Sequence, residues 1–149
     1  MNVKIEILPN VRIAYMRRTG QYGPANLEVM ERLKKWAKER KLLESAVIFA
    51  ISQDRPDITL PELCRFDACI IIPNDYQIDN HVNEGELLSG KYLIYDVKHT
   101  AEAIQKAYID IFSSLDNSGF KLDNRPIMER YTGDIIDNPS CEICIPISS

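Results

Sequence analysis

Two cysteines three residues apart, Cys141 and Cys144, frame an acid in the stretch CEICIPI at residues 141–147. Cys-x-x-Cys is the spacing of a zinc knuckle or a redox dithiol. The same stretch also alternates as a strand does. Ile143, Ile145 and Ile147 fall on one face, and Glu142 and Cys144 share the other. On a strand the two sulfurs point to opposite sides and cannot jointly hold a metal. The other cysteines, Cys64 and Cys69, have the wrong spacing to complete a zinc site, and no helical pattern opens after Cys144 as a thioredoxin-like motif requires. All four are expected to pack as small apolar side chains, and no metal or cofactor is expected.

The acids raise a second question. Asp67 shares a strand face with Cys69 and Ile71 in FDACIIIP (66–73), and Glu129 shares one with Tyr131, opposite Met128, in PIMERYTG (126–133). Such carboxylates can belong to the solvated outer face of an antiparallel sheet. They can also be partly buried in a groove, with a raised pKa unless a cation meets them. Lined by aromatic side chains, a groove of this kind suits an organic cation, through charge pairing and cation–π contact. His81 and His99 lie far from any cysteine or aspartate pattern and read as surface residues. Trp36 reads as packing, and the Arg17-Arg18 and Lys34-Lys35 pairs as solvated faces. The six glycines are scattered at turns and form no phosphate loop.

The elements that must position these groups follow from periodicity. Residues 3–8 and 11–18 read as strands, and with Pro9-Asn10 between them as a hairpin. Leu27, Met30, Leu33 and Ala37 recur at helical spacing over residues 25–40, with Pro24 suited to the helix start. Strands follow at 46–52 and 66–73. The second half does the same again: a hairpin of 85–88 and 91–97, a helix capped by Thr100 and stopped near Gly119, and strands at 127–132 and 141–147. LPNVRIAYM (8–16) lies against LSGKYLIYD (88–96), matching Tyr15 to Tyr95, and FDACIII lies against CEICIPI, matching Asp67 to Glu142 and Cys69 to Cys144. Two β-β-α-β-β units, at about 3–73 and 84–147, therefore predict an α+β fold. They would form one eight-stranded antiparallel sheet with both helices on one face and a ligand groove on the other.

The 149 residues suit a single domain over 1–149, and 45% apolar and 27% charged residues are ordinary globular values. A net charge of −4 argues against affinity for nucleic-acid phosphates and anionic membranes. No apolar run reaches the roughly 20 residues of a membrane span, and the N-terminal residues carry no signal-peptide pattern. A cytoplasmic protein with reduced thiols is expected.

The segment VRIAYMRRTGQYGPANLEVMERLKKWA (11–37) strongly resembles the opening of the GyrI-like (gyrase-inhibitor-like) family, the effector-binding domains of AraC-type and multidrug-responsive regulators. CRFDACIIIP, IMERYTGD and CEICIPI fit the same family, in order and at suitable spacing. The resemblance implies the duplicated fold and a central groove for bulky apolar, often cationic, molecules. It places the family's pocket glutamate on Glu129 and its last-strand acid on Glu142. Cys144 stands where relatives often carry an aromatic residue, which leaves room for a larger ligand or removes a stacking wall. By the internal repeat Phe49 takes the place of Glu129, and Ile51 that of Tyr131. Asp67 would add a further acid. Relatives occur fused to a DNA-binding segment, as separate proteins that bind DNA gyrase or sequester toxins and drugs, and as hydrolases of strained electrophiles. With the first strand starting beside Met1, the expectation is a stand-alone binder of a hydrophobic or cationic small molecule, without direct nucleic-acid or membrane contact. The alternatives are a hydrolase, using Glu129 or Glu142 as base with Tyr131, and a gyrase partner.

Overall fold

Pro9 decides the path of the chain. A two-residue hairpin needs φ > 0 at its first central position, and proline is fixed near −65°. The strands on either side, β1 (Val3–Leu8) and β2 (Val11–Thr19), accordingly do not pair with each other. The second expected hairpin is absent for a similar reason. Neither Leu88 nor Ser89, between β5 (Asn83–Leu87) and β6 (Gly90–Val97), has a positive φ. Instead β1 pairs antiparallel with β6, and β5 pairs antiparallel with β2. The two halves exchange their first strands.

The computed structural model describes residues 3–115 and 117–148. The remaining elements are α1 (Ala25–Glu39), β3 (Ile48–Ser52), β4 (Arg65–Ile71), α2 (Ala101–Leu115), β7 (Lys121–Leu122), β8 (Met128–Asp134) and β9 (Asn138–Ser148). Eight strands form one curled antiparallel sheet in the order β1-β6-β9-β8-β3-β4-β2-β5, and β7 adds two residues to the end of β9. The halves meet where β8 pairs with β3. This is the expected α+β architecture, with different partners for β1 and β5.

Both helices cover the same face. α1 buries Val29, Met30, Leu33, Trp36 and Ala37, spaced to form one stripe. They pack on Ala14, Ile48, Phe66, Ala68 and Ile70 of the first half. Leu27, expected in that stripe, is 68% exposed at its margin. α2 starts where the Thr100 hydroxyl accepts the Ala103 amide at 3.1 Å. It lays Ala107, Ile111 and Leu115 on Leu93, Tyr95, Ile143, Ile145 and Ile147. Each fully buried isoleucine there contributes about 1.5–3 kcal/mol. The opposite, concave face has its own apolar layer, including Phe49, Ile51, Cys69, Ile94, Met128 and Cys144.

Register corrects the internal alignment by one residue. Asp67 pairs with Ile51 as Glu142 pairs with Arg130, so Ile51 is the counterpart of Arg130, and Ala50 rather than Phe49 that of Glu129. Tyr15 and Tyr95 are not equivalent either. Tyr15 packs against the concave layer and Tyr95 lies under α2. One residue of slip reverses every face.

Asp67 is the one charged residue among the described residues that is fully buried, at 3% exposure. Arg17 donates to it twice, from Nε at 2.7 Å and Nη2 at 2.8 Å, and Gln53 adds a third bond at 2.9 Å. Arg17 is therefore a clamp on β4 rather than part of a solvated face. Removing one partner of a buried pair leaves an uncompensated charge, so Arg17→Met is expected to destabilise the fold by about 3 kcal/mol. Asp67→Asn in the same chain should recover much of that loss. Urea unfolding of the two single variants and the double variant measures both effects, and purely additive losses would contradict the pairing.

Candidate ligand-binding site

Because β8 sits between β9 and β3 with strict alternation, it sends neighbouring side chains to opposite faces. Glu129 and Tyr131 point toward the helices. Met128, Arg130 and Thr132 point to the concave side. Two pockets result, back to back across the sheet.

The helix-side pocket, about 290 Å³, lies between the first turns of α1 and α2. Its floor is Ala50, Ser52, Glu129 and Tyr131 from the two central strands. Leu27 and Met30 wall it from α1, and His99, Thr100 and Ile104 from the start of α2. The Tyr131 hydroxyl donates to Glu129 Oε1 at 3.2 Å. The His99 ring meets the Tyr131 ring edge-on, with centroids 5.1 Å apart. Among the described residues no cation lies within ion-pair distance of Glu129. Burial raises its pKa above the ordinary 4.5, and the Tyr131 hydrogen bond offsets part of that rise. Burial and the neighbouring Glu129 charge also push the Tyr131 hydroxyl far up, so it stays protonated and remains a donor. His99 is lowered by burial and by nearby Lys34, which favours the neutral ring.

The concave pocket, about 270 Å³, is different in kind. Glu142 lies in its wall, but not beside Glu129. Arg130 Nε reaches Glu142 at 2.9 Å, and its Nη1 and Nη2 reach Glu6 of β1 at 3.0 and 3.2 Å. Lys4 is 3.9 Å from Glu142. Although burial opposes it, these carboxylates hold the Arg130 guanidinium pKa up, and Arg130 in turn lowers that of Glu6.

The seven residues singled out from the sequence thus divide. Glu129 and Tyr131 share the helix-side pocket. Phe49 and Glu142 line the concave one. Ile51 and Cys144 lie fully buried in the apolar layer of that face, lining neither pocket, and Asp67 is held by Arg17. The cysteine expectation stands as geometry: Cys141 packs on the helix side and Cys144 on the concave side. Burial pushes both thiols up to about 12, which leaves them unreactive. The described residues contain no cluster of three potential metal ligands. His99, read as an ordinary surface residue, was missed. Its position just before the Thr100 cap is the one signal that could have placed it at a helix entrance.

Residues 1–148 match the GyrI-like small molecule binding domain family. The chain belongs to that family of small-molecule-binding domains, whose relatives include effector-binding domains of transcription regulators. It is 40% identical over 148 residues, 99% of either chain, to the "SPbeta prophage-derived putative transcriptional regulator YosT" of Bacillus subtilis (strain 168). Its fold matches the crystal structure of the EcmrR C-terminal domain with a TM-score of 0.73 at 10% identity, over 99% of this chain and 98% of that one. It also matches SAV2435, solved bound to tetraphenylphosphonium, with a TM-score of 0.61 at 14% identity, over 100% and 95%. No helix among the described residues is long and apolar enough to cross a membrane.

A desolvated carboxylate without a counter-charge costs the fold stability. A raised pKa means that the folded state holds the Glu129 proton more tightly than the unfolded state, so stability falls as pH rises above 4.5 through the folded value. Glu129→Gln keeps an acceptor for Tyr131 and removes the charge. It is expected to raise Tm near pH 7.5 by roughly 2–4 °C, the effect of about 1 kcal/mol in a chain of this size, and to gain nothing at pH 4. Calorimetry at the two pH values checks this; a variant less stable than the parent at pH 7.5 contradicts it.

Proposed function

We propose that the chain is a binding domain in its own right for bulky, lipophilic organic cations, which it takes into the helix-side pocket against Glu129. The observation that carries this is the Glu129 carboxylate, part-buried among Tyr131, Phe66, His99 and aliphatic walls, with no cation beside it among the described residues. Asp67 and Glu142 already have their cations. A lipophilic cation supplies the missing counter-charge, places apolar surface against Met30 and Ile104, and meets the Tyr131 ring. Leu27, 68% exposed at the rim, offers further apolar contact to a guest larger than the pocket. Tetraphenylphosphonium, the ligand bound to SAV2435, has this chemistry.

A second reading, hydrolysis of an electrophilic small molecule, has the hydrogen bond between Tyr131 and Glu129 in its favour. There Glu129, with its raised pKa, would be the base and Tyr131 the proton donor or orienting group. Turnover that disappears in Glu129→Gln would favour it.

Isothermal titration with tetraphenylphosphonium and with neutral triphenylphosphine oxide tests the binding reading. Glu129→Gln should weaken the cation by at least about tenfold, equivalent to ~1.4 kcal/mol, and the neutral compound much less. Affinity for the cation should rise with pH as Glu129 ionises. Equal affinity of parent and variant for the cation would sink this reading.

A further inference from the structure

We propose that the concave face carries a second small-molecule site, selective for uncharged apolar compounds. It owes nothing to Glu129, which lies on the opposite face of β8.

The pocket is a product of the sheet's curl. Pro9 and Leu88, one from each two-residue link, lie in its wall together with Leu8, Val11 and Leu87 from the strands that those links join. Phe49, Met128 and Tyr92 extend the apolar lining toward the sheet centre, and Val47 and Ile71 complete it. The Tyr92 ring is fixed from behind by the Arg125 guanidinium, 4.6 Å from its centroid. The space is thus bounded by elements from both halves and lies away from both helices.

Its charges sum to nothing. Lys4 and Arg130 face Glu6 and Glu142. Arg130 Nη2 is 2.8 Å from Glu142, its Nη1 is 3.0 Å from Glu6, and Lys4 lies 3.7 Å from Glu6. Every side-chain nitrogen of Arg130 is directed at a carboxylate. A charged guest would lose its hydration without gaining a counter-charge. An uncharged guest exchanges water for aliphatic and aromatic walls and leaves the four charges as they are. The two faces of the sheet therefore select for opposite chemistry: a cation at Glu129, a neutral hydrophobe beside Arg130.

The probe is N-phenyl-1-naphthylamine, an uncharged dye that brightens in apolar surroundings, set against 1-anilinonaphthalene-8-sulfonate, which shares its anilinonaphthalene framework but carries a negative charge. The parent should bind the neutral dye saturably and more tightly than the sulfonate, and tetraphenylphosphonium should not displace it. Glu6→Gln leaves one cation in surplus and should shift the ratio of the two affinities toward the sulfonate by about tenfold. Leu87→Trp on β5 and Val47→Phe just before β3 fill the pocket from two different segments, and each should abolish binding of the neutral dye while keeping the parent's far-ultraviolet circular dichroism. The proposal is overturned if the parent does not bind the neutral dye saturably, or if tetraphenylphosphonium displaces it. It is equally overturned if an affinity ratio unmoved by Glu6→Gln is found, or if filled variants with parental spectra still bind the dye. None of these outcomes depends on whether Glu129 takes a cation.

Discussion

Two short covalent links shape this molecule. β1 and β2 lie six positions apart in the sheet, as do β5 and β6, yet each pair is joined by only two residues. In a flat sheet six strand spacings are roughly 29 Å, whereas three consecutive Cα steps reach at most ~11 Å. The sheet must therefore curl until its outer strands approach. The links touch where it does so: the Ser89 amide donates to the Asn10 side chain, and Arg12 pairs with Glu84 nearby. The concave pocket is the space this curl encloses. The convex face is left to the helices, and the gap between their first turns becomes the other pocket.

Given that frame, the electrostatics turn on which acids find a cation. Asp67 and Glu142 are register counterparts, one in each half, and each meets an arginine, but from different strands: Arg17 on β2 for the first, Arg130 on β8 for the second. Both are satisfied within the fold, at the cost of desolvating a charged pair, which seldom adds much net stability. Glu129 is the exception. Its cross-strand neighbours are Ala50 and Ile143, neither of which can neutralise it. Among the described residues Glu129 therefore stays a part-buried carboxylate without a counter-charge, and its desolvation weighs on stability once it ionises.

Much of this was legible in the sequence, and what was not failed for identifiable reasons. Helical and strand periodicities are local, so β1 to β6, β8, β9 and both helices could be placed within a few residues. Strand partners are not local. Pro9 warns against a hairpin, but nothing in the chain announces that β1 will pair beyond α1 and β5. The separation of Cys141 from Cys144 needed only alternation along one strand, and it could be read directly. The grouping of Glu129 with Glu142 needed the register between two strands, where one residue decides the face. The same sensitivity misplaced Phe49 against Glu129 and Tyr15 against Tyr95.

Arg130 makes the point most sharply. In the sequence it is the residue between Glu129 and Tyr131, with nothing to mark it. In the fold it ties β8 to Glu142 on β9 and, across β6, to Glu6 on β1, a strand contributed by the other half of the chain. Its neighbours on either side, Glu129 and Tyr131, face the helices, and Arg130 itself faces the hollow of the sheet. One strand thus carries side chains of both pockets, Glu129 and Tyr131 to one and Met128, Arg130 and Thr132 to the other. That division needs only the two-residue period of a single strand.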